Sequence, residues 1–276
     1  MKIYISSDIE GVTGVVSWEH STEKGSRDYE VMRRRMTNEV AAAANAALES
    51  GAGEVVVADS HANSTNLIHE DLPKKVKLIQ GTQRPLSMME GVDESFAAAM
   101  FVGYHSMRNT LHGTLNHSFS GRSIYEIRLN GNPIGEFGLN AAMAGVFGVP
   151  VIFASGDRAL CEEAQELIPG IITVETKRGI GMIAAESLHP EVSCELIKSG
   201  AAEAVANKGN MKPYRIEGEV HLEIDFVRTG HADAAGSMPR VERISPKGLA
   251  CKAADYTEAY QALRTLINLA STFPLQ

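Results

Sequence analysis

The sequence predicts an α/β fold over residues 1–187, with helices around a mostly parallel sheet, followed by a smaller C-terminal α+β subdomain over residues 188–276. Strand-like apolar runs recur at Lys2–Ser7, Glu54–Ala58 and Ala99–Gly103, and a long helical pattern lies between the first two. A strand, a long helix and a strand within about sixty residues make a βαβ unit, which dictates parallel strands and a right-handed crossover. Beyond residue 187 the regular alternation of strand and helix changes texture.

Lys2–Ser7 reads as a buried strand. Tyr29–Ser50 reads as a helix, because Met32, Met36, Val40, Ala44 and Leu48 repeat at i+4 spacing and Gly51 supplies a stop. Val55-Val56-Val57 is β-branched and forms the second strand. Val76–Ile79 and Met100–Val102 are two further short strands, with Gly91–Ala99 expected as a helix between them. Ser123–Leu129 is a strand that turns back through Asn130-Gly131-Asn132, a hairpin signal. Ile134–Val146 is a small-residue helix, and Pro150–Ala154 and Ile171–Val174 are strands bracketing a helix from Asp157 to Leu167. In the C-terminal part, a helix over Glu191–Asn207 leads through the polar linker Lys208–Pro213 to an alternating strand, Val220–Phe226. Asp255 and Glu258 are spaced as a capping box for a closing helix that runs to Thr272. This subdomain is expected to pack on the main sheet.

Composition narrows the function. With 44% apolar residues in 276, burial of a core is not limiting. A net charge of −8 argues against nucleic acid and against an anionic membrane, both of which require clustered Lys and Arg. The basic run Arg33-Arg34-Arg35 falls inside a helical pattern and reads as a solvated face or a subunit contact. Cys161, Cys194 and Cys251 are odd in number and widely spaced, which indicates neither a disulfide framework nor a thiolate zinc site and fits a reducing cytoplasm. The N-terminal apolar run is too brief for a signal segment, and no stretch approaches the roughly 18 apolar residues of a membrane span.

The chemistry is concentrated where strands end. Lys2–Ser7 runs into Asp8 and Glu10, the second strand into Asp59-Ser60-His61, and the third into Tyr104-His105. In open α/β sheets ligands bind at the carboxyl ends of strands, so these groups are expected to converge. Asp8 and Glu10, two apart, repel each other unless a cation lies between them. With His61 and His105 the set becomes mixed imidazole and carboxylate, which favours zinc over calcium or magnesium and leaves manganese and cobalt open on ligand type. Asp59 is placed to orient a ligand histidine by accepting its other N–H. Gly11-Val12-Thr13-Gly14 lacks the spacing and the lysine of a phosphate loop. His112 competes with His117 as a loop histidine and reads as the more exposed of the two.

Ser6-Ser7-Asp8-Ile9-Glu10-Gly11 resembles the SxDxEG signature of the D-aminopeptidase family of zinc peptidases, peptidase family M55. Further landmarks fall in the same order: Asp59-Ser60-His61, Met89-Glu90-Gly91, Gly103-Tyr104-His105, Asn116-His117-Ser118, and Gly135-Glu136 before Gly138-Leu139-Asn140. The resemblance implies a three-layer αβα fold and assembly into a homo-oligomer. It also implies two zinc ions per chain, with Asp8 bridging, Glu10 and His61 completing one site and His105 and Glu136 the other. His117 takes the catalytic position, as general acid/base or as nucleophile. Glu136 enters on the resemblance alone, since a Glu at a helix start is ordinarily explained by the helix dipole. The expected activity is removal of the N-terminal residue, a D-amino acid, from short peptides. The alternatives are a metal-dependent amidase or phosphoesterase on the same residues, or a metal-binding module without catalysis.

Overall fold

The computed structural model describes residues 1–274. The chain opens with β1 (Lys2–Ser7), the short helix α1 (Trp18–Thr22), the long helix α2 (Arg27–Glu49) and β2 (Glu54–Asp59). β1 and β2 pair in parallel with Ser7 beside Asp59, the βαβ unit expected from the sequence. Helix α2 starts where Ser26 accepts a hydrogen bond from the Tyr29 amide, and its inner face buries Met32, Met36, Val40 and Ala44. β3 (Val76–Ile79) and β4 (Ala98–Tyr104) follow.

The expected helix over Gly91–Ala99 is absent. Gly91 is left-handed at φ +84, Asp93 turns the chain by accepting the Ser95 amide at 2.8 Å, and Ala98 and Ala99 are drawn into β4 between β1 and β7 (Val151–Asp157). Pairing with two neighbours outweighs the helix propensity of the alanines. Between β4 and β7 the chain forms the hairpin β5 (Ile124–Leu129) and β6 (Asn132–Pro133), then α3 (Glu136–Val146). Beyond β7 lie α4 (Arg158–Leu167), capped by Asp157 accepting the Leu160 amide, and β8 (Ile172–Gly181), which runs past the expected Val174 into an antiparallel hairpin with β9 (Ala184–Ser187). The chain finishes with α5 (Pro190–Asn207), β10 (Val220–Phe226), α6 (Thr229–Ala235), β11 (Glu242–Arg243), β12 (Gly248–Ala253) and α7 (Tyr256–Ala270).

Seven strands form the main sheet in the order β3-β2-β1-β4-β7-β8-β9, parallel except for β9. Side chains alternate across it. Ile3, Ile5, Val55 and Val57 pack with the inner faces of α2 and α5, while Tyr4, Val56, Phe101 and Ala154 face a second core with α3, α4 and α7. This is a mostly parallel sheet covered by helices on both faces. The second sheet is antiparallel, β11-β12-β10-β5-β6. It takes strands from both sides of residue 187, and α5, from beyond that residue, covers the main sheet beside α2. Among the described residues no helix is long and apolar enough to cross a membrane. The three cysteines are free.

Strand order turns on β1: the chain moves outward through β2 and β3 on one side, then returns to place β4 on the other. The carboxyl ends of β1 and β4 therefore flank the switch point of the sheet, where a crevice opens. Backbone contact draws these ends together. The Asp8 amide donates to Val102 O and the Gly11 amide to Gly103 O, both at 2.8 Å.

Candidate metal centre

The structure brings all six expected side chains to this crevice. Asp8 and Glu10 follow β1, His61 follows β2, His105 follows β4, Glu136 opens α3, and His117 lies on the loop from β4 to β5. Asp8, Glu10 and His105 are no more than 2% exposed, and Glu136, His61 and His117 are buried. They line or underlie a cavity of about 1100 Å³ whose walls include Trp18, Phe119, Met182 and Arg264.

The protonation of the two inner histidines is fixed from behind. His61 Nε2 lies 2.8 Å from the Ser21 carbonyl, and His105 Nδ1 lies 2.9 Å from the Ser106 carbonyl. A carbonyl only accepts, so these nitrogens carry the hydrogens and each ring turns its other nitrogen toward the crevice. His61 Nδ1 stands 3.2 Å from Asp8 Oδ1 and 3.0 Å from Glu10 Oε2. His105 Nε2 stands 3.5 Å from Asp8 Oδ2 and 3.4 Å from Glu136 Oε1. Each nitrogen thus meets two carboxylate oxygens, and Asp8 serves both groups with one oxygen each. Lone pairs facing lone pairs at this separation require a positive centre between them, either a proton or a metal ion.

Electrostatics carry the same tension. Burial, then the charge of Glu10, pushes the Asp8 carboxyl up to about 7. Glu10 is equally buried, yet His61 chiefly, with His117 and His105, holds it well below the usual carboxylate range. Burial alone would lower His105, but Glu136 and Asp8 overcome it and carry the ring to about 10; His61 rises in the same way, mainly through Glu10. Both oxygens of Glu10 and His105 Nε2 are buried without a hydrogen-bond partner. Orphaned buried acceptors of this kind cost about 1–3 kcal/mol each. Nitrogen and carboxylate donors together are a set that suits zinc.

His117 differs from the other two. Its Nδ1 lies 2.9 Å from the Leu115 carbonyl and so carries the hydrogen. Its Nε2 points to the cavity, 3.8 Å from Glu136 Oε1. The ring stacks on His105 at 4.1 Å between centroids and meets the edge of Trp18. Burial, then the neighbouring His105 charge, lowers its pKa, which keeps it a neutral imidazole with a free lone pair. His112 is exposed and bonds the Ile180 carbonyl.

Glu136 is held by a contact that spacing does not reveal: its Oε1 accepts the Phe119 amide at 2.6 Å. The role expected of Asp59 is corrected. Its carboxylate accepts the amides of Asn66 and Leu67 and the Asn66 side chain, and Asn66 in turn bonds the His61 carbonyl. Asp59 therefore shapes the backbone around His61 and leaves the ring to Ser21.

The model of the D-aminopeptidase family, peptidase family M55, matches residues 1–265 of this chain. A D-aminopeptidase of Bacillus subtilis (strain 168) is 38% identical over 273 residues, 98% of either chain. The solved structure of the Zn-dependent D-aminopeptidase DppA from Bacillus subtilis, a self-compartmentalizing protease, matches with a TM-score of 0.95 and 36% identity over 100% of both chains. Asp8, Glu10, His61, His105, His117 and Glu136 all fall within the matched stretch, and the chain belongs to the D-aminopeptidase family.

Proposed function

We propose that this protein is a zinc-dependent aminopeptidase that removes the first residue from short peptides with an N-terminal D-amino acid. One zinc ion is held by His61, Glu10 and Asp8, a second by His105, Glu136 and Asp8, and His117 is the catalytic residue. The observation that carries this reading is the paired geometry: two imidazole rings, each anchored through its rear nitrogen to a carbonyl, each turning its other nitrogen to two carboxylate oxygens, with Asp8 common to both. Three buried carboxylates balance most of the charge of two divalent ions, and the orphaned Glu10 oxygens and His105 Nε2 gain partners.

Bound zinc supplies a Lewis acid for the scissile carbonyl and eases deprotonation of the attacking water. His117 Nε2, neutral and turned into the cavity, takes that proton and returns it to the departing amine. The Leu115 carbonyl and the Trp18 edge hold the ring in that orientation. The preference for an N-terminal D-residue rests on the family, and so does assembly into a homo-oligomer. The three free cysteines fit the reducing interior of a cell, and on that ground we place the enzyme in the cytoplasm.

The test compares D-alanyl and L-alanyl dipeptides, with a phosphodiester under the same zinc loading. Alanine release from the D series alone is expected; release from the L series alone, or phosphodiester cleavage instead, contradicts the proposal. His117→Ala is expected to abolish turnover with the zinc content intact. Loss of zinc in that variant would make His117 a ligand.

A further inference from the structure

The cavity carries charge of two kinds. Its acidic groups are Asp8, Glu10 and Glu136, all at the metal centre, while every other charged side chain lining it is an arginine: Arg84, Arg108, Arg122 and Arg264. In a chain of net charge −8 this is a local reversal. None of the four lies within 4 Å of a carboxylate among the described residues, whereas Arg33, Arg128, Arg158, Arg178 and Arg243 all do. Unpaired guanidinium groups gathered in a concave site attract an anion.

The four are not equivalent. Arg108 spends Nη1 on the carbonyls of Gly121 and Ile124, a structural use. Arg122 is exposed at the rim. Arg84 is anchored through Nη2 to Asp59 O and Ser64 Oγ, both at 2.9 Å, while its Nη1 is buried and has no partner. Arg264, from α7, lies over the Phe119 ring at 5.1 Å from its centroid and, among the described residues, makes no side-chain hydrogen bond or ion pair. Both arginines approach Tyr260: its hydroxyl bonds the Leu86 carbonyl at 3.3 Å, two residues along from Arg84, and Arg264 stands one turn further along α7. The pair is thus anchored at one end, through Asp59, to the strand that leads to His61, and at the other, through Phe119, to the amide that holds Glu136.

We infer that Arg84 and Arg264 bind the free C-terminal carboxylate of the peptide, so that the enzyme selects short peptides that end in a carboxylate within reach of the metal centre. This inference rests on the aminopeptidase reading. A guanidinium fork matches a carboxylate in shape and charge, and its fit weakens when that carboxylate becomes a neutral amide. The acid end of the substrate is then held by charge at the arginines, at a fixed reach from the metal centre, which limits peptide length.

The experiment measures kcat/KM of the zinc-loaded protein for D-alanyl-D-alanine and for D-alanyl-D-alanine amide. The free acid is expected to be preferred by about tenfold or more, through KM, the range of a hydrogen bond to a charged group. In Arg84→Met and Arg264→Met the ratio of acid to amide should fall toward one. Arg264→Met breaks no hydrogen bond among the described residues, so it keeps the comparison clean if Arg84→Met disturbs the loop. Equal turnover of acid and amide by the wild-type protein, or an unchanged ratio in both variants, overturns the arginine assignment and leaves the aminopeptidase reading standing. Failure to cleave any D-alanyl substrate overturns both.

Discussion

Replacing Gly11 by alanine tests how the crevice is held together. A Cβ at this position would stand 1.8 Å from the Tyr104 carbonyl oxygen and 2.7 Å from the Gly103 carbonyl carbon, where ordinary contact begins at 3.4 Å. Moving that oxygen from 1.8 Å out to 3.4 Å requires the ends of β1 and β4 to part by about 1.6 Å. Tyr104 cannot yield easily on its other side, because a Cβ at Gly156 would already be 2.0 Å from the same oxygen. The contact between Asp8 Oδ2 and His105 Nε2, 3.5 Å, crosses this seam. Metal sites tolerate deviations of only about 0.2 Å in ligand distance, so the shift takes one ligand out of the shared sphere. Overpacking of this kind costs about 1–3 kcal/mol, and disturbing the support of a ligand typically weakens a metal by about 10–100-fold. Zinc affinity is measured by competition with a chromophoric chelator, and the stability of the chelated protein by urea denaturation. Gly53→Ala, whose Cβ meets only Met1 O at 3.9 Å, is the control and should match wild type in both. A folded Gly11→Ala protein that binds zinc with wild-type affinity would refute the reasoning.

Two further substitutions probe the buried polar groups behind the site. Glu39 on α2 is 1% exposed; one oxygen accepts the Thr13 amide at 3.0 Å, the other has no partner, and burial raises the carboxyl from 4.5 to about 7. A raised carboxyl gives stability that is complete below about 4.5 and is lost as pH climbs through about 7. Glu39→Gln should therefore match wild type at acid pH and exceed it by about 3 kcal/mol above pH 8, read by urea denaturation at each pH. A difference that does not change with pH would refute this. Lys177 is 1% exposed and donates Nζ to the carbonyls of Glu10, Val12 and Val15, fixing the loop that carries Glu10. Lys177→Met strands those acceptors, at about 1–3 kcal/mol each. The variant is expected to lose at least about 3 kcal/mol and to bind zinc more weakly, and wild-type behaviour in denaturation and zinc titration would contradict the role.

What the sequence made legible was local and periodic. β1, α2, β2 and β10 follow from β-branched runs, an i+4 stripe and alternation, and the pairing of β1 with β2 follows from βαβ geometry. The gathering of Asp8, Glu10, His61 and His105 was legible too, because strand ends in a parallel sheet must share an edge. Glu136 came only from the resemblance, since its anchor is an amide on Phe119, a backbone group any residue offers. The carbonyls of Ser21 and Ser106 that set the histidine tautomers were invisible for the same reason. Asp59 was misread because proximity in sequence to His61 outweighed the competing amides of Asn66 and Leu67. The Gly91–Ala99 segment was misread because strand recruitment is decided by neighbours from β1 and β7.

The central claim is that two cations share Asp8, one beside His61 and one beside His105. Crystals of the zinc-loaded protein, measured above and below the zinc edge, test it directly. Two anomalous peaks per chain are expected, one among His61 Nδ1, Glu10 and Asp8, the other among His105 Nε2, Glu136 and Asp8. A single peak, or peaks away from Asp8, would contradict the dinuclear centre.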